Sequence, residues 1–462
     1  MSAASDPGVK DTARVFSAFA AGLRFDDLPA SVIETGRMFM ADYIAACHAG
    51  LRINGKFNAA IREIIGNMTG RPEASVFASP DKLSAEAAAY MNAVYAHGAD
   101  MDDGNRKAMG HVAAHVMSAV FALAEAMGDR GWADVFTAII VGYEVYNRLA
   151  AMAQPGLVHR GFHSTGTAGA VACAAACAKL MGLDGEGIYD AIAIAAFQAS
   201  GQIIIAESGQ ACKPLNPANA ARTGIVAAKL AAKGIEGPRR PLESTKGWLH
   251  AMTDEVHYEM LEGLGEAYTI CESYMKPYPS CRHTHCGIEA AARVREAMAG
   301  MGRGVEDIER VELHIYENAI RIAGQIRVPE NLDAAKFSIH YSLAVALATG
   351  GFTLDDIGRA PTDAIRELIS KIELIPDASM ENVQSGIRGA RLCVTLQGGA
   401  RLERTVLLPK GDPTNPFTWE DVRRKMEDCL SGTAYSAQGV VDAIRAIRFE
   451  EPFEGVCALM AR

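Results

Sequence analysis

Residues 274–285 read YMKPYPSCRHTH, and the chain changes texture across them. Two prolines, two cations and two histidines within residues 276–285 are hard to explain by packing alone, and loops of this kind carry function. Upstream, from about residue 11 to 265, apolar residues recur at spacings of three and four, broken by Gly, Pro and Asn, which is the period of helices. Residues 164–183, STGTAGAVACAAACAKLMGL, are apolar on most sides and made of small residues. They predict a buried helix whose neighbours approach closely, and residues 218–234 repeat the theme. Downstream, residues 311–315 alternate with period two. Residues 391–397 do the same before Gly398-Gly399 and a partner run at 401–408, which predicts a hairpin. Residues 411–417, GDPTNPF, form a turn-rich link, and 419–430 are helical again. The expected fold is mainly α with an α+β second domain: a helical domain over 1–268, an α+β domain over 269–409, and a C-terminal segment, 410–462, packing back on the helical domain.

Composition narrows the function. With 462 residues, 49% hydrophobic and 22% charged, the chain can bury a large core, and a disordered reading is poor. Aromatics are only 7% while Gly numbers 44, so that core relies on small side chains. A net charge of −10 argues against a nucleic-acid surface, so any anion must be bound by a local cluster. No run of about eighteen apolar residues predicts a membrane span. The N-terminus leads into no apolar stretch, so no secretory leader is expected and the expected location is the cytoplasm. The ten cysteines read as free thiols, and the spacing of Cys281 and Cys286 matches neither a zinc nor an iron–sulfur pattern.

Four clusters can carry chemistry. Residues 97–111, HGADMDDGNRKAMGH, crowd Asp100, Asp102 and Asp103, which must be solvated, paired with cations or partly protonated. A helix end with water-exposed carboxylates is the plain alternative. His111 and His115 are four apart and can share a helix face, but Val112 stands where a metalloprotease needs Glu, so no zinc site is expected. Residues 159–167 place His163 before the small-residue helix, with Ser164, Thr165 and Thr167 as candidate caps. In residues 213–219, KPLNPAN, two prolines stiffen the position of Lys213. The fourth cluster is the stretch from Lys276 to His285 itself.

In order and wording these clusters resemble the MmgE/PrpD family, over nearly the whole chain. HGADMDDGN resembles the family's HA-x-D-x-DD segment, GFHSTGTAGA its GFHPTGT segment, KPLNPANAARTG its lysine-containing turn and helix, and YMKPYPSCRHTH is the most specific match. The resemblance implies a large all-helical domain with a smaller α+β lid, a homodimer, and no cofactor or metal. It implies a lyase on a small di- or tricarboxylate, either dehydrating a 2-methylcitrate-like or decarboxylating a cis-aconitate-like substrate. An epimerase of an iminodisuccinate-like dicarboxylate and a non-catalytic carboxylate-binding or scaffold protein are the alternatives. Carried over by motif, Asp100, His111, His163, Lys213 and Lys276 are the expected catalytic positions, with Arg282, His283, His285 and Tyr278 expected at the substrate. Cations held in a water-poor cleft stabilise charge that builds on a carboxylate, and the histidines move the proton. This chain departs from many relatives at Gly104, where Thr is common, and at Val112 and Cys286, where Pro is common.

Overall fold

A computed structural model of the chain describes residues 10–67, 70–204, 211–382 and 386–460; residues 1–9, on which the reading of the N-terminus rests, lie outside them. The helical region contains α1 (Ala30–Ile53), α2 (Ala85–Gly98), α3 (Ala113–Met127), α4 (Trp132–Met152), α5 (Ser164–Leu180), α6 (Gly185–Gln198) and α7 (Leu215–Ala231). The small-residue helix α5 lies at its centre, against α3, α4, α6 and α7, with every residue except Lys179 buried. Its composition is what the geometry requires. A Cβ on Gly224 of α7 would overlap Cys173 of α5, and one on Gly169 would overlap the ring of His115, so the helices cross at a separation that only glycine permits.

The second region carries a four-stranded sheet. β3 (Ile308–Ile315) lies between β4 (Ile372–Pro376), to which it is parallel, and β5 (Ala390–Leu396), to which it is antiparallel. β5 and β6 (Arg401–Val406) form the expected hairpin, turning through Gly398 and Gly399 at φ 88° and 83°. Helix α8 (His285–Gly300) packs on β5 and β6, and α9 (Ile339–Thr349) packs on α8. Two short strands that the sequence reading did not anticipate join the two regions: β1 (Gly104–Asn105) pairs antiparallel with β2 (Ser273–Tyr274).

Helix α10 (Trp419–Leu430) lies on α1, anchored by one buried charge pair. Lys425 Nζ donates to Asp42 Oδ1 at 2.6 Å and to the Met101 carbonyl at 2.6 Å. Met101 sits between Asp100 and Asp102, so the C-terminal segment helps to fix the carboxylate loop. No helix among the described residues is long and apolar enough to cross a membrane.

Candidate active site

The loop from α2 to α3 is shaped by its own acids. Asp100 and Met109 take left-handed φ values of 54° and 51°, an expensive conformation for non-glycine residues that the surroundings must hold. Asp103 turns toward α3: its Oδ1 accepts the amides of Val112 and Ala113 at 3.2 and 2.8 Å, and its Oδ2 accepts the Tyr143 hydroxyl at 2.7 Å. It caps the helix from outside. The β1–β2 pairing sets Gly104 opposite Tyr274, and a Cβ at 104 would fall 2.5 Å from the Tyr274 hydroxyl oxygen. The loop with the acids and the stretch at 274–285 are therefore held edge to edge.

Their side chains converge on Asp100. Lys213 Nζ, from the turn before α7, donates to Asp100 Oδ1 at 2.7 Å. Lys276 Nζ donates to the Asp100 carbonyl at 2.9 Å and lies 3.3 Å from Oδ2. His111 Nε2 is 3.8 Å from Asp100 Oδ1. Asp102 serves the imidazoles: His97 Nδ1 donates to its Oδ2 at 2.8 Å, and His111 Nδ1 lies 3.2 Å from the same oxygen but off the line of a hydrogen bond. The rings of His97 and His111 meet edge-on at 4.5 Å, and that of His163 lies 6.2 Å from His97. His97 Nε2 and Asp102 Oδ1 are buried without a hydrogen-bond partner among the described residues, an arrangement that a ligand or water would complete.

The tautomer of His163 is fixed by its neighbour. Asn216 Nδ2 donates to the Gln202 carbonyl at 3.1 Å and to His163 Nδ1 at 3.0 Å. A neutral His163 therefore carries its proton on Nε2. Burial, then the ammonium of Lys213, holds this imidazole well below the usual histidine range. Burial opposes the charge of Asp100, but Lys213 and Lys276 outweigh it and keep that carboxyl well below its ordinary range. Asp103, a residue away from Asp102, is pushed by burial up to about 7. One carboxylate stays ionised between two ammonium groups while its neighbour approaches neutrality. The ligand atoms of His97, Asp100, Asp102 and His111 all lie within 4.8 Å of one another, but a divalent ion there would have to displace Lys213 from Asp100.

Burial of so many imidazoles has a consequence for stability. It pushes His48, His97 and His340 down to about 4 and His115 and His283 to about 3. A histidine whose folded pKa is depressed contributes stability that is present above its unfolded value, near 6.5, and is lost as pH falls toward the folded value. Asp42 and Asp103, raised to about 6 and about 7, act in the opposite sense and gain on acidification. The histidines outnumber them. Calorimetry at constant ionic strength should therefore show Tm falling by roughly 5 °C or more between pH 6.5 and 4.5; a flat profile would mean that these rings are hydrated.

Sequence profiles for the MmgE/PrpD N-terminal and C-terminal domains match residues 14–261 and 278–451. The chain belongs to the MmgE/PrpD family. Its relatives include a cis-aconitate decarboxylase of Aspergillus terreus, 28% identical over 416 residues, which span 85% of this chain and 84% of the relative. The cis-aconitate decarboxylase of Homo sapiens is 27% identical over 430 residues, 90% and 87% of the two chains. An alkylcitrate dehydratase from a fungal species is 25% identical over 180 residues, 37% and 36% of the two chains.

In this MmgE/PrpD protein the five expected catalytic positions lie in or beside one cluster, and the four expected substrate positions extend it. Arg282 stacks over the Tyr274 ring at 4.7 Å and donates through Nη1 to His285 Nδ1 at 3.3 Å. His285 uses its other nitrogen on the Ser280 carbonyl at 3.2 Å and packs edge-on against Tyr278. His283 pairs through Nδ1 with the Tyr316 hydroxyl. Several local expectations give way. The three acids are buried rather than exposed at a helix end. His111 and His115 do not share a helix face, because α3 begins at Ala113; His115 instead packs against Tyr146. Ser164 and the threonines do not cap α5: Thr165 Oγ1 accepts the His111 amide at 3.1 Å, and Ser164 Oγ donates to the Met109 carbonyl at 3.1 Å. Lys276, expected at the centre, is 2% exposed. His97, Asp102 and Asn216 were not among the expected site residues; the only signal for them was proximity in sequence to Asp100 and Lys213.

Proposed function

We propose that this MmgE/PrpD protein is a lyase acting on a small tricarboxylate, with decarboxylation of cis-aconitate the first reaction to test and dehydration of a 2-methylcitrate-like hydroxy acid the second. The observation that carries the reading is the Lys213–Asp100–Lys276 arrangement, beside His111 and His163, where the two regions of the chain meet. The names of the relatives support the same class.

In decarboxylation the bond from carbon to the departing carboxyl breaks and carbon dioxide leaves. The electron pair stays on the carbon skeleton, spreading toward a remaining carboxylate. Lys213 and Lys276 stabilise that charge more in the transition state than in the substrate, because they are already oriented and sit where little water competes. His111, which lies between Asp100 and Asp102, returns a proton to the carbon skeleton, while His163, neutral with its N–H on Nε2, hydrogen-bonds the charge that develops. Asp100 keeps both ammonium groups in place.

Incubating the purified protein in heavy water with citrate, 2-methylcitrate, cis-aconitate and iminodisuccinate, followed by proton NMR, tests the reading. Decarboxylation releases carbon dioxide and leaves one deuterium on the product. Loss of water indicates dehydration, exchange without net loss indicates an epimerase, and no change with any of the four would sink the enzyme reading for these substrates. The family reading also carries a homodimer, supported by the exposure of Phe197 on α6, 80%, and of Val226 and Leu230 on one face of α7. Sedimentation at the mass of a single chain would count against it.

A further inference from the structure

Three arginines from separate segments gather beside the lysine centre, and they are not fully matched by acids. Arg106, on the loop between α2 and α3, donates through Nη1 to Asp412 Oδ2 at 3.1 Å and to the Gly386 carbonyl at 2.6 Å. Gly386 has φ 72°, and a Cβ there would lie 2.5 Å from the Arg106 guanidinium carbon, so this arginine clasps the turn that leads to Arg388. Arg282 Nη2 lies 3.5 Å from Asp412 Oδ2 but makes no hydrogen bond to a described residue and is buried. A buried guanidinium N–H left unpaired is costly unless something else accepts it.

Arg388 lies opposite Glu381 in the short antiparallel pair of Glu381–Asn382 with Ile387–Arg388, and its carbonyl accepts the Cys286 thiol at 3.1 Å. Its guanidinium makes no hydrogen bond or ion pair to a described residue, and Glu381 is no exception. Its charge reaches the site nonetheless: after burial, Arg388 is the main influence holding His283 down, and it acts on Tyr274 and Tyr316 as well. Among the described residues, then, Asp412 takes two of the three guanidinium groups, and Glu381, the backbone partner of Arg388, pairs with none of them. The excess suits one further monoanion, and a planar carboxylate matches the guanidinium fork. Tyr274, whose ring underlies Arg282, is two residues from Lys276, so this surplus charge adjoins the reacting centre.

We propose that Arg282 and Arg388 form a second anion subsite that holds the distal carboxylate of a tricarboxylate, floored by the ring of Tyr274, which packs against Gly104. The proposal rests on the tricarboxylate reading, but its test does not need turnover. Isothermal titration calorimetry of the full chain compares propane-1,2,3-tricarboxylate with methylsuccinate, the same skeleton with one terminal carboxylate replaced by hydrogen, and with inorganic phosphate. The wild type should prefer the tricarboxylate over both. Arg388→Gln should weaken the tricarboxylate about tenfold or more while changing methylsuccinate by less than about twofold, and Arg388→Lys should fall between. Equal weakening of both ligands, no weakening, tighter binding of phosphate, or no binding of the tricarboxylate by the wild type would each overturn the subsite. Selective binding with no turnover of any tricarboxylate would leave the subsite standing and remove the lyase reading alone.

Discussion

Replacing Lys213 by alanine should lower kcat/KM by about 10²–10³-fold while moving Tm by no more than a few degrees. The two halves of that expectation come from the same geometry. Lys213 sits in the turn before α7 with its side chain 19% exposed, and its hydrogen bond is to Asp100 alone among the described residues. Removing it takes away one preorganised cation, worth about 3–4 kcal/mol where charge builds up in a water-poor site, but leaves no buried group unsupported, because Lys276 still holds Asp100. Lys276→Ala is a less clean experiment. That ammonium is buried and holds the backbone of a residue in a left-handed conformation, so its loss should disturb both rate and fold. Activity of Lys213→Ala within tenfold of wild type, in a protein that folds normally, would place the lysine outside the reacting centre.

The neighbouring acids Asp102 and Asp103 should respond to amide substitution in opposite ways. The polar partners of the Asp102 side chain among the described residues are His97 and His111. Asp102→Asn should cut kcat by about 10²–10³-fold with a small change in KM, since a neutral amide no longer stabilises positive charge on the adjacent imidazoles. Asp103 caps α3 and receives the Tyr143 hydroxyl. Asp103→Asn should cost about 1–3 kcal/mol of stability, because an amide cannot satisfy all three donors, and the folded fraction should keep kcat within about tenfold. Steady-state kinetics and urea midpoints on the pair decide the matter. A stable Asp103→Asn with lost turnover, or an active Asp102→Asn, would reverse the assignment of roles.

That contrast also marks how far the sequence could be read. Long periodic or alternating segments were legible: the helices near 164 and 215, the helix Trp419–Leu430 and the hairpin through Gly398-Gly399 all reflect local patterns that tertiary packing reinforces. The cluster around Asp100 was legible as a set of motifs, although three of its members lie far apart in sequence. What each residue does inside the cluster was not. Asp102 and Asp103 differ by one position, and only the path of the loop sends one toward two histidines and the other toward a helix end. The helical spacing of His111 and His115 misled for the same reason, since Asp103 sets where α3 begins. Asn216 fixes the proton on His163 from across two loops, and nothing in its neighbourhood announces that contact.

The two-residue pairing of β1 with β2 has a consequence for how the molecule matures. Lys276 reaches Asp100 across 176 positions and Lys213 across 113, so the centre closes only after long stretches of chain have found their places, and such distant contacts form slowly and late. The helical region folding alone would hold Asp100, Asp102 and Lys213 without the buried Lys276, and the second region would hold Lys276 without Asp100. The Lys213–Asp100–Lys276 centre is thus complete only when both regions have come together.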